Sequence, residues 1–402
     1  MKKTLELAAA CVLAACAVVR AQDAPKLVGE KTIMKLDDGI EHRRSAGAWW
    51  MRLSPRARRV LYVRQTKWMY KTRRKDGTER QRRGYKLVLR DLKTGKDTPV
   101  PIPALFDRGF AIACLSMTVF DAAGKTLVVP VGEDANKDDY WEPRPPLNEK
   151  CKLGLYDIAS GKLKTPGLKA DLIVPTYHPN GKTLVVLAME RDAKKAKVHV
   201  TPTDKIRFRL LSKPGFPRSL CPTSDLMAML VLSEGQRPRR GKFVLYDLKG
   251  DTVKAELIAG EEIGKMTSDN PQWTADGRYL YYAVVKEEER DGRKLRKVFT
   301  RIWDAKAGKE AGTLSGVCPI GAGPGAGTMV LTKLPHTEQR PRAPGEIVLH
   351  AQGDKTLGQE LHRLGDASTR PISTQGKWLL FIRKDANGNE AACMAEIALP
   401  RN

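Results

Sequence analysis

The chain has 402 residues and a formal net charge of +25, from 71 Lys and Arg against 46 Asp and Glu. That length is large for one ordinary hydrophobic core, so the sequence encodes either several domains or one repeat architecture. The charge points to acidic partners, and no stretch after the N-terminus offers the roughly 20 apolar residues that a membrane-spanning helix needs.

The N-terminus reads as an export signal. Lys2 and Lys3 precede an apolar run from Leu7 to Val19. Val19 and Ala21 then suit the −3 and −1 positions for cleavage before Gln22. Leu13-Ala14-Ala15-Cys16 offers an alternative, since it is similar to the lipobox of bacterial lipoproteins, in which Cys16 would be acylated. Either route takes the chain out of a bacterial cytoplasm. The expected division is a signal peptide over 1–21, an N-terminal segment over 22–44 with a closing strand, and a β-propeller over 45–402. Five cysteines remain: Cys114, Cys151, Cys221, Cys318 and Cys393. Their wide spacing shows no zinc pattern. One or two disulfides would suit an oxidising compartment, with no pairing deducible.

One unit then recurs along the chain: a polar turn, then a short apolar strand. Ser54-Pro55-Arg56-Ala57 leads into Val60-Leu61-Tyr62-Val63, and Asp121-Ala122-Ala123-Gly124-Lys125 into Leu127-Val128-Val129. His178-Pro179-Asn180-Gly181-Lys182 and Thr274-Ala275-Asp276-Gly277-Arg278 repeat the pattern. Cys221 to Ser224, Gly325 to Gly327 and Thr374 to Lys377 are looser copies. The Gly-equivalent positions are 57, 124, 181, 224, 277, 327 and 376. Their spacing is close to the period of about 40–50 residues expected for four-stranded propeller blades, with insertions in the first two units. A second element ends several units in Asp and a Gly-containing turn, at Asp91, Asp157, Asp247 and Asp304. An Asp there bonds the turn's own backbone.

Together these elements resemble the WD40-like repeats of TolB-type bacterial propellers, over about residues 45 to 399. The resemblance implies an all-β fold: a seven-bladed β-propeller (six or eight being the alternatives) with four antiparallel strands per blade. After the last turn, Trp378–Arg383 and Ala391–Ile397 read as strands, which leaves the last blade one strand short. Lys31-Thr32-Ile33-Met34-Lys35 is predicted to complete it.

Propeller topology would gather the hairpins between second and third strands on one face. Those hairpins are basic. The candidate binding rim is Arg73, Arg74, Lys75, Arg82 and Arg83 in the first unit, Arg237, Arg239 and Arg240 in the fourth, and Arg293 and Lys294 in the fifth. The expected partner is an envelope protein or an anionic envelope polymer. Export argues against nucleic acid, and a membrane enters only through lipidation at Cys16. The second hairpin, Glu133 to Glu142, is instead acidic. Its Asp-x-Asn-x-Asp spacing, like Asp385 to Glu390, is better read as a turn than as a calcium loop.

No catalytic motif stands out. Gly321 to Ala326 matches a dinucleotide fingerprint but precedes a strand, not a helix. G-x-S-x-G and H-E-x-x-H are absent, and His178 sits in a repeat turn. No cofactor or metal is implied. The expectation is therefore a non-catalytic binding or scaffold module. The alternative is a lyase or glycosidase type of propeller enzyme with its site at the central channel.

Overall fold

In the computed structural model the described residues are 25–36, 51–73, 78–101, 115, 117–131, 140–141, 151–190, 196–231, 242–259, 271–290, 293–333, 346–352, 361–365, 370–385 and 387–399. They form seven antiparallel sheets, each built in chain order from an innermost strand outward. Blade 1 is Met51–Leu53, Arg59–Arg73, Glu79–Asp91 and Asp97–Pro99. Blade 2 is Val119–Phe120, Thr126–Val131, Cys151–Asp157 and Leu163–Lys164, with Lys169–Ala170 also on its third strand. Blade 3 is Leu172–Tyr177, Thr183–Met189, Lys197–Pro202 and Arg209–Leu210, and blade 4 is Gly215–Leu220, Leu226–Val231, Lys242–Asp247 and Thr252–Ala259. Blade 5 is Gln272–Trp273, Tyr279–Arg290, Arg293–Asp304 and Lys309–Ser315, and blade 6 is Val317–Ala322, Thr328–Lys333, Ile347–Ala351 and His362–Arg363. Blade 7 is Arg370–Gln375, Trp378–Lys384 and Glu390–Ala398, completed by Lys26–Lys35. The expected seven-bladed propeller is therefore the fold.

The second strand of each blade is an unbroken apolar run because both of its faces are covered. Val60, Leu61, Tyr62 and Val63 are all buried, as are Leu184, Val185 and Val186. The cores lie between blades, not within them. Leu61 and Leu87 of blade 1 pack with Leu127 and Val129 of blade 2. Further clusters repeat this at each junction around the ring. At the seam, Ile33, Met34, Ile372 and Leu380 of blade 7 meet Val60 and Tyr62 of blade 1.

Closure follows the expected scheme. Lys26–Lys35 runs antiparallel to Glu390–Ala398, from Lys26 opposite Ala398 to Lys35 opposite Ala391. The strand begins earlier than expected. Its attachment is mixed: Leu36 N donates to Glu390 O at 3.0 Å, and Arg383 pairs with Glu30 at 2.9 Å.

The repeat turns explain the glycine spacing. At 57, 124, 181, 277, 327 and 376 the backbone takes left-handed φ, and only Ser224 departs. Glycine adopts that conformation without a Cβ clash. In blade 1 the same conformation is forced on Ala57, at φ 50. Prolines mark a second position: Pro175, Pro217, Pro319 and Pro371 all sit on innermost strands. An innermost strand is a sheet edge, where a missing N–H costs no ladder bond.

Cys151, Cys221, Cys318 and Cys393 are buried, in blades 2, 4, 6 and 7. No disulfide forms among these four, and Cys114 lies outside the described residues.

Deleting residues 23–40 removes the outer strand of blade 7, takes Ile33, Met34 and Leu36 out of the seam cluster and bares the edge of the strand that holds Ala392. The melting temperature should fall by more than about 5 °C, a loss of a few kcal/mol. An unchanged thermal melt would contradict closure by this strand.

Candidate functional site

The strand order places the hairpins between second and third strands on one face. The repeat turns and the Asp turns lie on the other. In blades 1 and 5 the hairpin strands are long: Arg59–Arg73 has 15 residues and Tyr279–Arg290 has 12, against 6 for Leu226–Val231. These two ladders run well past the body of the ring.

Five of the ten candidate rim residues fall on them. Arg73 lies opposite Glu79, Arg82 opposite Tyr70 and Arg83 opposite Met69. Arg293 lies opposite Arg290, and Lys294 opposite Glu289. Arg74, Lys75, Arg237, Arg239 and Arg240 lie outside the described residues. Blades 1 and 5 are three places apart in the ring, so the placed residues form two separate basic ladders. One connection was not legible in the sequence. Tyr140–Trp141, at the end of the acidic blade 2 hairpin, pairs in parallel with Lys71 and Thr72 of the basic blade 1 ladder.

The opposite face is structural. Asp91 Oδ1 accepts from the backbone N–H of Lys93 and Thr94, and Asp247 Oδ1 from Lys249 and Gly250. These bonds hold the carboxyls below the usual range, led by the Thr94 N–H for Asp91 and the Gly250 N–H for Asp247. Asp157 is lowered chiefly by the Ser160 hydroxyl. At Asp304 burial pushes upward, but the N–H groups of Ala307 and Lys306 and the Arg278 guanidinium outweigh it. His178 is a tie between blades. Asn180 N donates to its Nδ1 at 3.1 Å, which leaves Nε2–H to donate to Ser224 O of blade 4 at 3.0 Å. Thr223 Oγ1 continues the seam by donating to Asp276 O of blade 5 at 3.1 Å. At Asp385 both Asn387 N and Asn389 N donate to Oδ1, an ordinary Asx turn. Among the described residues no cluster of three His, Cys, Asp or Glu is placed to hold a metal ion.

A buried polar pair sits between blades 5 and 6. Tyr281 Oη and His350 Nδ1 are 2.8 Å apart, in edge-on ring contact. Burial first, and then His362, push the His350 pKa down to about 4, and burial raises that of the Tyr281 phenol.

The axis carries residues that the sequence reading missed. Arg52, on the innermost strand of blade 1, donates from Nη1 to Thr118 O of blade 2 at 2.7 Å. Burial lowers its pKa to about 10 although the side chain keeps some solvent access. Arg218, on the innermost strand of blade 4, is exposed, yet desolvation lowers its pKa too. Both sit on innermost strands, the sheet edges that line the axis of the ring. The signal that could have found both is an Arg within an apolar segment just before a repeat turn.

No protein family and no curated protein matches the chain. Solved structures do. An oligogalacturonate lyase from Vibrio parahaemolyticus matches with a TM-score of 0.53 at 11% identity, over 91% of this chain and 93% of that one. The β-propeller domain of the Trilobed protease from Pyrococcus furiosus matches at 0.51 and 10% identity, over 88% and 98%. That domain has an open velcro topology, whereas here an N-terminal strand completes the last blade. TolB from Acinetobacter baumannii matches at 0.37 and 12% identity, over 86% and 81%. The class shown is thus a seven-bladed β-propeller, the fold anticipated from the repeats.

The expectation of a non-catalytic module is corrected by this comparison. Enzymes stand among the structures that share the fold over nearly their whole length. Short linear motifs are a poor test here, because a site at a propeller axis is assembled from separate blades. At these identities the likeness is one of fold and assigns no reaction.

Because His350 is buried neutral, the unfolded chain binds a proton there first as pH falls. Stability should therefore drop from about pH 6.5 down to about pH 4, by on the order of 3 kcal/mol. The depressed aspartates act in a lower window, below about pH 4. Thermal melts across this range should show the upper step in the native chain and lose it in His350→Phe.

Proposed function

We propose that this propeller recognises an anionic polymer outside the cytoplasm, on the face that carries its long hairpins. The observation that carries the reading is the pair of paired-strand ladders on blades 1 and 5, bearing Arg73, Arg82, Arg83, Arg293 and Lys294. A hairpin hydrogen-bonded along its length is pre-ordered, so less conformational entropy is lost when a ligand docks. Two such ladders on far sides of a ring suit a partner long enough to span it. The net charge of +25 supplies long-range attraction to a polyanion. The exported setting rests on Lys2, Lys3, the Leu7 to Val19 run and Ala21, with Cys16 as the alternative anchor. Among the described residues no helix is long and apolar enough to cross a membrane.

A second reading, turnover of an acidic saccharide at the axis, is favoured by Arg52 and Arg218 on the channel wall. Arginine binds and orients an anion but supplies neither a base nor an acid near neutral pH. Arg52 and Arg218 therefore suit the binding of an anion there and name no reaction.

The test is binding of the mature protein to a panel of polyanions, polygalacturonate included, across a salt series. A variant with Arg73, Arg74, Arg82 and Arg83 changed to Ala is the comparison. Binding should weaken at least tenfold in the variant, with a shallower salt dependence. Equal binding by both proteins would sink the hairpin reading. Mass spectrometry of the recovered saccharides reports on the second reading, where a change in chain length marks turnover.

A further inference from the structure

The innermost strand of each blade is a sheet edge. Its two faces are covered by neighbouring blades and one side by the second strand. The side left over faces the axis. A side chain on that strand that reaches water therefore reaches it through the channel, or at one of the channel's mouths.

Arg218 occupies a specific place on this wall. In blade 4 the pairing runs from Pro217 opposite Met229 to Ser219 opposite Ala228, which leaves Arg218 as a bulged residue. Blades 6 and 7 repeat the bulge, between Pro319 and Gly321 and between Pro371 and Ser373. A bulge re-aims the side chain it carries. In those two blades the bulged residue is isoleucine, Ile320 at 7% and Ile372 at 5% exposure. The fold is thus satisfied by a buried isoleucine at this position. Blade 4 puts an exposed guanidinium there instead, so packing does not account for it.

Among the described residues Arg218 has no hydrogen-bond or ion-pair partner, and their innermost strands carry Arg52, Arg218 and Arg370 but no Asp or Glu. Arg52 stands three blades from Arg218 in a ring of seven, close to opposite, and Thr118 O fixes one of its nitrogens. Holding a guanidinium in a confined site without a counter-charge is costly, and an anion entering the channel relieves that cost.

We infer that the axial channel is a binding site for an oxyanion, a carboxylate or phosphate group, gripped by Arg218. The planar guanidinium fork matches both groups through two parallel N–H···O bonds. The inference rests on the axial reading above for its place and names the ligand group there; it is independent of the hairpin reading, since it concerns a compact anion on the axis and not a polymer across the rim.

The experiment is isothermal titration of the full mature protein with citrate and, separately, with inorganic phosphate at low salt. Arg218→Ile copies the residue that blades 6 and 7 use, and Arg218→Ala is the second variant. The native protein should bind at least one of the two anions at one site. Citrate alone would mark a carboxylate ligand, and phosphate alone a phosphate ligand. Both Arg218 variants should bind at least tenfold more weakly, with the ligand-free melting temperature unchanged. The variant with Arg73, Arg74, Arg82 and Arg83 changed to Ala should bind as the native protein does. Failure of the native protein to bind either anion overturns the inference. Undiminished binding by a folded Arg218 variant does so too, as does loss of binding confined to the hairpin variant.

Discussion

A four-stranded sheet with apolar side chains on both faces cannot stand alone in water, and the rest of this structure follows from that. Each blade needs a neighbour on either side. The hydrophobic clusters accordingly fall at the junctions: Val185 and Leu187 of blade 3 with Met227 and Met229 of blade 4, and Leu245 of blade 4 with Leu280 of blade 5. Repeating a junction of this kind gives an array with two unsatisfied ends. Only a ring removes them. The ring in turn creates an axis, two faces and a rim, and those are the places where function can reside.

Polar ties on the turn face reinforce the junctions. His178 reaches from blade 3 to blade 4, Thr223 from blade 4 to blade 5, and Arg59 from blade 1 to Gly124 O of blade 2 at 3.0 Å. At φ +67 Gly124 takes the left-handed turn, and a Cβ there would sit 3.3 Å from Pro55 O. Tight turns and ties between blades therefore occupy the same ground. On the opposite face the hairpins of blades 1 and 5 are drawn out into long ladders.

The sequence showed the repeat because a turn that needs a left-handed residue before an apolar strand has a recognisable chemistry. It also showed the closing strand, since three strands after the last turn leave a blade incomplete. The structural roles of Asp91, Asp157, Asp247 and His178 were legible from their position in turns. The site was less so. Charges could be assigned to hairpins by topology, but not their separation into two ladders, nor the pairing of Tyr140–Trp141 with blade 1. Arg52 and Arg218 escaped notice because innermost strands are as short as Met51–Leu53. Which of their residues meets the axis is decided by bulges that leave no periodic mark. The absence of catalytic motifs carries little weight in this fold, since local patterns do not report on groups that only the ring brings together.

The seventh blade is made from both ends of the chain, and this shapes how the protein comes into being. Thr32 and Cys393 are neighbours in space although 361 positions separate them. During synthesis the first strand must wait, unpaired, until nearly the last residue has emerged. Contacts between such remote segments are slow to form, because a long loop has to close before they yield anything. Six blades can stack as the chain lengthens, but the circle shuts only when the final strand arrives. Until then the molecule is an open arc that can still be threaded through a narrow passage, and once shut it cannot. Damage to the first strand or to the last would open the same joint.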